Sequence, residues 1–158
     1  VGTVDLWRAA IQPGKPFAFG TAPRGGHRAG PPVLLFGLPG NPVSVFVTFE
    51  VFVRPALRRL AGRARAALLR PPDTAVLEDA VSKSIGRRTF LRVAALRDPA
   101  TGAPVRDAAG RVRVALAGGQ ESHQLSALAA ADGLAVVPES VTSLSAGAEV
   151  ELWWLDRP

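Results

Sequence analysis

Residues 33–62, VLLFGLPGNPVSVFVTFEVFVRPALRRLAG, constrain the fold more than any other stretch of the chain. A short apolar run meets a proline–glycine break and then a longer, almost unbroken apolar segment. Val33–Leu38 is short and continuous, the pattern of a strand buried on both faces, as in a parallel sheet flanked by helices. Val43–Val53 is rich in β-branched and aromatic residues, so its composition favours a strand. Its punctuation favours a helix. Asn41 is a good N-cap, Pro42 suits the first helical position, and the pattern runs through Leu57 and Leu60 to a stop at Gly62. Arg58 and Arg59 complement the dipole at that end. The spacing therefore predicts a long helix, apolar nearly all round and hence buried, with a bend at Pro55.

Upstream, the apolar segment Leu6–Ile11 ends at Gln12-Pro13-Gly14-Lys15-Pro16, a turn by composition, after which Phe17–Phe19 resumes an extended run. Residues 20–32, GTAPRGGHRAGPP, read as a surface loop. Beyond a basic linker at 64–72 the texture changes to short runs between turn signals: Thr74–Leu77, Thr89–Leu96, Arg111–Ala117, Leu134–Val137 and Glu149–Leu155. Arg111–Leu116 and Glu149–Trp153 alternate polar and apolar residues as half-buried strands do, and Ser126–Ala131 reads as a helical turn. The expected fold class is α/β followed by all-β. Residues 1–63 would form the end of an α/β unit and residues 73–158 a small β-barrel domain.

Charge divides at the same place. Residues 1–70 hold nine arginines and one lysine against Asp5 and Glu50, a balance of +8, whereas residues 71–158 carry −2. A basic first portion attracts anions, either nucleic acid or a phosphorylated small molecule. Nucleic acid fits poorly, because Phe46, Phe49 and Phe52 lie in the apolar helix and not among the charges. There is no cysteine, which excludes disulfides and thiolate chemistry, and His27 and His123 are too few for a histidine zinc site. No apolar run approaches the length of a membrane span, and the first residues lack the pattern of a signal peptide, so a cytoplasmic protein is expected.

Two segments carry chemistry. Leu38-Pro39-Gly40-Asn41-Pro42-Val43-Ser44 joins a strand end to a helix N-terminus, where unpaired backbone N–H groups suit an anion and Ser44 offers a hydroxyl. In Gln12-Pro13-Gly14-Lys15-Pro16 the prolines confine the lysine ammonium, and Arg8 precedes them at a strand end. Each alone reads more simply as a turn. Together, in the basic portion, they point to an oxyanion pocket.

PGKPFAFG at 13–20 followed by the 34–62 segment resembles the molybdopterin molybdenumtransferase family, MoeA-type and shared with the gephyrin E domain. Phe90-Leu91-Arg92, Gly118-Gly119-Gln120-Glu121-Ser122-His123 and Ser126-Ala127-Leu128 extend the resemblance over essentially the whole chain. The resemblance implies the end of a three-layer α/β/α molybdopterin-binding domain plus the family's barrel. It also implies insertion of molybdate into adenylylated molybdopterin with release of AMP, a divalent cation such as Mg2+, and a homodimer. By the same resemblance Pro39, Gly40, Asn41, Pro42 and Ser44 line the molybdopterin pocket, and Arg8, Gln12, Lys15, Arg92 and Ser122 surround molybdate. No catalytic residue follows from it. Gln12 departs from the lysine that many members carry. The family's Gly-rich acidic segment is absent, so the chain is expected to be a fragment without the full catalytic machinery, the cation being held elsewhere. A non-catalytic anion-binding or scaffolding module of the same fold is the competing expectation.

Overall fold

The computed structural model describes residues 2–25 and 30–155, so His27 and the middle of the 20–32 loop lie outside the described residues. The first portion comprises β1 (Thr3–Arg8), β2 (Ile11–Gln12), β3 (Pro16–Ala22) and β4 (Val33–Gly37), then α1 (Pro42–Thr48) and α2 (Arg54–Leu60). Between the helices Phe49–Val53 form a π-helical turn, so the three pieces make one continuous rod. The second portion comprises β5 (Asp73–Leu77), β6 (Val81–Ser82), β7 (Arg88–Ala95), β8 (Val112–Leu116), α3 (Leu125–Ala129), β9 (Gly133–Val137), β10 (Ser143–Leu144) and β11 (Ala148–Trp154).

Strands β7, β8, β5, β11 and β9 close on themselves, because β7 pairs with β8 on one side and with β9 on the other. These five are the five runs that the sequence marks. Their alternation decides which face is inside. Leu91, Val93, Ala135, Val137, Val150 and Leu152 belong to the lumen cluster, whereas Phe90, Leu134, Val136 and Trp153, one position out of phase, form a second cluster on the outer wall. Ile11 and Val47 of the first portion complete that outer cluster, so the helix is packed on the outside of the barrel. Phe90 and Trp153 meet there at 5.4 Å between ring centroids.

The helix forms as its punctuation predicts, with three differences. Asn41 sits at the N-cap but makes no side-chain capping bond; only its backbone carbonyl accepts, from Val45 N–H at 2.9 Å. The disturbance from Pro55 is the π turn just upstream. Proline has no N–H to give and crowds the preceding turn, and Arg54 N–H reaches back five residues to the carbonyl of Phe49. The helix is buried on one side only: Val43, Val47 and Val53 are covered, while Leu57 and Leu60 are 49% and 67% exposed. Its C-terminus is a Schellman motif. Gly62, at φ 79°, gives its N–H to Arg59, and Arg63 gives its own to Arg58.

The strand before the helix departs further from expectation. β4 pairs antiparallel with β3, and β3 antiparallel with β1, so no parallel pair exists in this sheet. Val33 and Leu35 are exposed, as are Val4, Leu6 and Trp7 on β1. A continuous apolar run specifies the apolar character of both faces, and neither the direction of its neighbours nor what covers it.

The basic linker is anything but slack. Arg70 donates through Nε and Nη2 to the two carboxylate oxygens of Glu50, at 2.7 and 3.1 Å, and through Nη1 to the carbonyl of Trp154 at 2.6 Å. One guanidinium thereby ties the helix to the last barrel strand. Arg54 approaches the same carboxylate at 3.6 Å.

Candidate functional site

The two portions share a sheet. After β1 the chain crosses to the barrel, where Ile11 and Gln12 of β2 lie parallel to Arg88 and Thr89 of β7. Arg88 N–H donates to Ala10 carbonyl at 2.8 Å, and Ile11 is 8% exposed in the outer cluster. Immediately beyond comes the Pro13-Gly14-Lys15 turn, whose Gln12–Pro13 peptide is cis. Gly14, at φ 113°, packs on the helix so closely that a Cβ there would lie 2.6 Å from Thr48 Cγ2. Lys15 carbonyl accepts from Ala9 N–H at 2.9 Å, closing the turn. The turn is therefore held between α1 and the barrel.

On the other side β7 and β8 diverge. Their ladder begins only at Val93, leaving the first half of β7 without β8 beside it. The gap is bridged by a side chain: Gln120 Oε1 accepts from Arg92 N–H at 2.9 Å and Gln120 Nε2 donates to Arg92 carbonyl at 3.1 Å. Together with Ala117 N–H, which donates to Arg92 carbonyl at 3.0 Å, this amide does for Arg92 what a neighbouring strand would do. The result is a cleft of about 530 Å³ lined by Gln12, Pro13, Gly14, Lys15 and Ser44 from the first portion, and by Val81, Lys83, Arg87, Thr89, Leu116, Gln120, Glu121 and Ser122, among others, from the second.

Four of the residues selected from the sequence meet here: Gln12, Lys15, Ser44 and Ser122. Gln12 and Lys15 are exposed to the cleft, and Ser44 is 7% exposed on the first turn of α1. Ser122 carbonyl accepts from Val43 N–H at 3.3 Å, so one of the orphan donors at the start of α1 is satisfied from the barrel loop. Arg92 behaves differently from the expectation. Its side chain, on the outer face of β7 in phase with Phe90, is fully buried and does not line the cleft. Nη2 donates to the carbonyls of Gly119 and Glu121 at 2.9 and 3.3 Å, while Nε and Nη1 are buried without a partner. Arg92 therefore shapes the loop that presents Ser122. Burial pushes its guanidinium below the ordinary value, with Glu121 opposing.

Arg8 is not brought to the cleft. It lines a separate apolar pocket of about 380 Å³ with Trp7, Phe17, Phe19 and Phe52. Pro39, Gly40, Asn41 and Pro42 also stand outside the cleft lining, although they lead directly into Ser44. Asn41 Oδ1 is buried without a partner.

Sequence reading missed Lys83, Arg87, Thr89 and Gln120. No local signal marks the first three, since the β2–β7 register and the β6–β7 loop bring them in; Gln120 stood inside a motif whose side-chain role was unspecified. Three cations, Lys15, Lys83 and Arg87, face a single carboxylate, Glu121, so the cleft is a basic one. It is a poor holder for a divalent cation. Among the described residues no group of three or more His, Cys, Asp and Glu is placed to bind a metal. Glu50 is engaged by Arg70 and Arg54, and Asp5 lies exposed on β1. Such a cation does not fit the residues present.

An antiparallel α/β portion is docked on a five-stranded barrel, with a basic cleft along their seam. Residues 74–155 match the family model described as MoeA C-terminal region (domain IV), and residues 2–59 match the one described as Probable molybdopterin binding domain. The chain belongs to the MoeA family of molybdopterin molybdenumtransferases. It is 37% identical over 150 residues to molybdopterin molybdenumtransferase 2 of Mycobacterium tuberculosis, covering 95% of this chain and 32% of that one. Against molybdopterin molybdenumtransferase of Haemophilus influenzae the identity is 33%, covering 96% and 33%. Among solved structures, a molybdenum cofactor biosynthesis protein from Pyrococcus furiosus superposes with a TM-score of 0.66 at 30% identity, covering 96% of this chain and 46% of that one. The chain thus spans about a third of the length of these curated relatives. No helix among the described residues is long and apolar enough to cross a membrane.

Proposed function

We propose that this chain acts in molybdenum cofactor biosynthesis, furnishing part of the pocket where molybdate is inserted into adenylylated molybdopterin with release of AMP. The observation that carries this reading is the convergence of Lys15, Ser44 and Ser122, from three separate segments, on one basic cleft. Molybdate is a dianion. An ammonium and two hydroxyls fixed by packed backbone replace part of its hydration shell, and charge-assisted hydrogen bonds of this kind are the strong ones. Gln12 contributes a neutral donor where a second ammonium would stand in many relatives, so Lys15 carries more of the neutralisation. Arg92 works indirectly, by holding the carbonyls of Gly119 and Glu121 and hence the position of Ser122. The chain's contribution is positioning and electrostatic neutralisation, without a covalent nucleophile. A cation, and the residues completing the site across a homodimer, would come from outside this chain.

The neutral Gln12 also favours a second reading, a non-catalytic anion-binding or scaffolding module. Calorimetric titration of the full chain with molybdate tests the cleft directly. Lys15→Ala is expected to weaken binding about tenfold, as for loss of one charge-assisted hydrogen bond. Equal affinity in wild type and variant removes the assignment. Complementation of a molybdenumtransferase-deficient strain by the gene separates enzyme from scaffold.

A further inference from the structure

Gln120 lines the cleft, half-buried, yet its side-chain donors are engaged inside the protein. Oε1 accepts from Arg92 N–H at 2.9 Å, while the two protons on Nε2 go to Arg92 carbonyl at 3.1 Å and Gly118 carbonyl at 2.9 Å. These partners fix the orientation of the amide, since a flip would set Oε1 against two carbonyls and Nε2 against a donor. With both N–H groups occupied, Gln120 has no donor left for an anion in the cleft. Its place on the cleft wall therefore calls for a different explanation.

The segment that follows β8 is wrapped on Arg92 from both sides. β8 ends at Leu116, and Ala117 N–H makes the last backbone bond to Arg92 carbonyl. Gly118, at φ 111°, then turns the chain in a conformation that residues with a Cβ rarely adopt. The Gln120 side chain holds the Arg92 backbone. In return the Arg92 guanidinium holds the carbonyls of Gly119 and Glu121, on either side of Gln120. Arg92 is a firm anchor, because it is 0% exposed and pairs with Leu134 across the β7–β9 ladder. The next tie is to the other portion, where Ser122 carbonyl accepts from Val43 N–H at 3.3 Å. Only Glu121 separates the anchor on the barrel from the anchor on the helix. Two residues span at most about 7 Å, so a displacement at Gln120 reaches Ser122 without slack to absorb it.

We propose that Gln120 is a positioning residue for the oxyanion pocket: its amide, locked on the Arg92 backbone, sets where Ser122 stands against the first turn of α1. The proposal rests on the oxyanion reading of the cleft and adds the residue through which the barrel places the hydroxyl. A continued ladder would hold β7 equally well, but it would carry β8 straight on. A side chain in its place keeps Arg92 paired while the backbone turns toward α1. Misplacing such a group by about 1 Å is enough to cost much of the interaction it makes.

A double-mutant cycle on the full chain tests this, with molybdate as the probe in calorimetry. Gln120→Met, close in length and without hydrogen bonds, is expected to weaken molybdate binding about tenfold. In a Ser122→Ala background the same substitution should change affinity by less than about twofold, because the group it positions is gone. Val43 N–H should exchange with solvent about tenfold faster in Gln120→Met, as its acceptor on Ser122 loosens. If Gln120→Met fails to fold, Gln120→Asn carries the same cycle; it keeps the amide but draws the loop toward β7 by one methylene. A lower melting temperature with wild-type molybdate affinity would reduce Gln120 to a structural role and refute the proposal. Equal losses with and without the Ser122 hydroxyl would also refute it, since Gln120 would then act by another route. The two readings fail separately. Weaker binding in Lys15→Ala with none in Gln120→Met overturns only the positioning role. A wild-type chain that binds no molybdate overturns the oxyanion reading, and the exchange rate of Val43 N–H then decides the positioning of Ser122 alone.

Discussion

Replacing Glu50 with alanine is expected to destabilise the whole chain. Glu50 is 6% exposed and accepts two hydrogen bonds from Arg70, whose side chain is itself only 10% exposed. Arg54 lies 3.6 Å from the same carboxylate, and its Nη1 is already buried without a partner. Removing the carboxylate leaves two buried guanidinium groups facing each other with nothing between them. Breaking a buried pair from one side costs about 3–5 kcal/mol, since the partner's desolvation is no longer compensated. For a protein of this size that corresponds to a fall in Tm of roughly 6–20 °C. Thermal unfolding followed by circular dichroism measures it. Because the group is sheltered, the deficit should persist in high salt, unlike that of a surface pair. The double variant Glu50→Leu with Arg70→Met should recover much of the loss, apart from the bond to Trp154 carbonyl. A Glu50→Ala protein that melts within about 2 °C of wild type, less than the shift for 1 kcal/mol, would refute the argument that this pair fastens helix to barrel.

Two further outcomes follow from the same structure. Gly14→Ala combines a positive φ with a Cβ placed 2.6 Å from Thr48 Cγ2, so a loss of about 1–3 kcal/mol is expected together with weaker molybdate binding; wild-type values for both in denaturant melts and calorimetry would contradict it. In acid, the bonds from Arg113 to Glu78 and from Arg111 to Asp107 hold both carboxyls below their ordinary values. Their contribution is then complete above the unfolded carboxylate range near pH 4 and is lost as pH falls through the lowered folded values. The urea midpoint should decline between about pH 4 and pH 2, and less so in Glu78→Gln with Asp107→Asn; a midpoint flat down to pH 2 would count against it.

What was legible in the sequence was what repeats locally. The barrel strands were visible because Val112, Val114, Val150 and Leu152 alternate with polar neighbours and turns separate the runs. The helix was visible through Pro42 and Gly62, although its β-branched composition argued otherwise. That β3 would pair antiparallel with β4 was not legible, because VLLFGL records apolar character and carries no information on strand direction. Half of the candidate site was legible, since PGK and PGNPVS are contiguous. The other half depends on registry over long separations: Thr89 is in the cleft because Gln12 pairs with it, and Arg92 is out of it because its guanidinium is turned onto the carbonyls of Gly119 and Glu121. The bridging role of Gln120 depends on where β8 departs from β7, which only the closed barrel decides.

The two-residue ladder between β2 and β7 has a mechanical meaning. Ile11 is its buried member, and everything beyond it, from Gln12 to Lys15, is indexed by that one side chain as a key is indexed by its first notch. A slip of one position would turn the next polar residue toward the outer cluster and Ile11 toward water. The ammonium at Lys15 would move with it. The spacing between the charges on the two walls is thus calibrated by an aliphatic residue that touches no ligand.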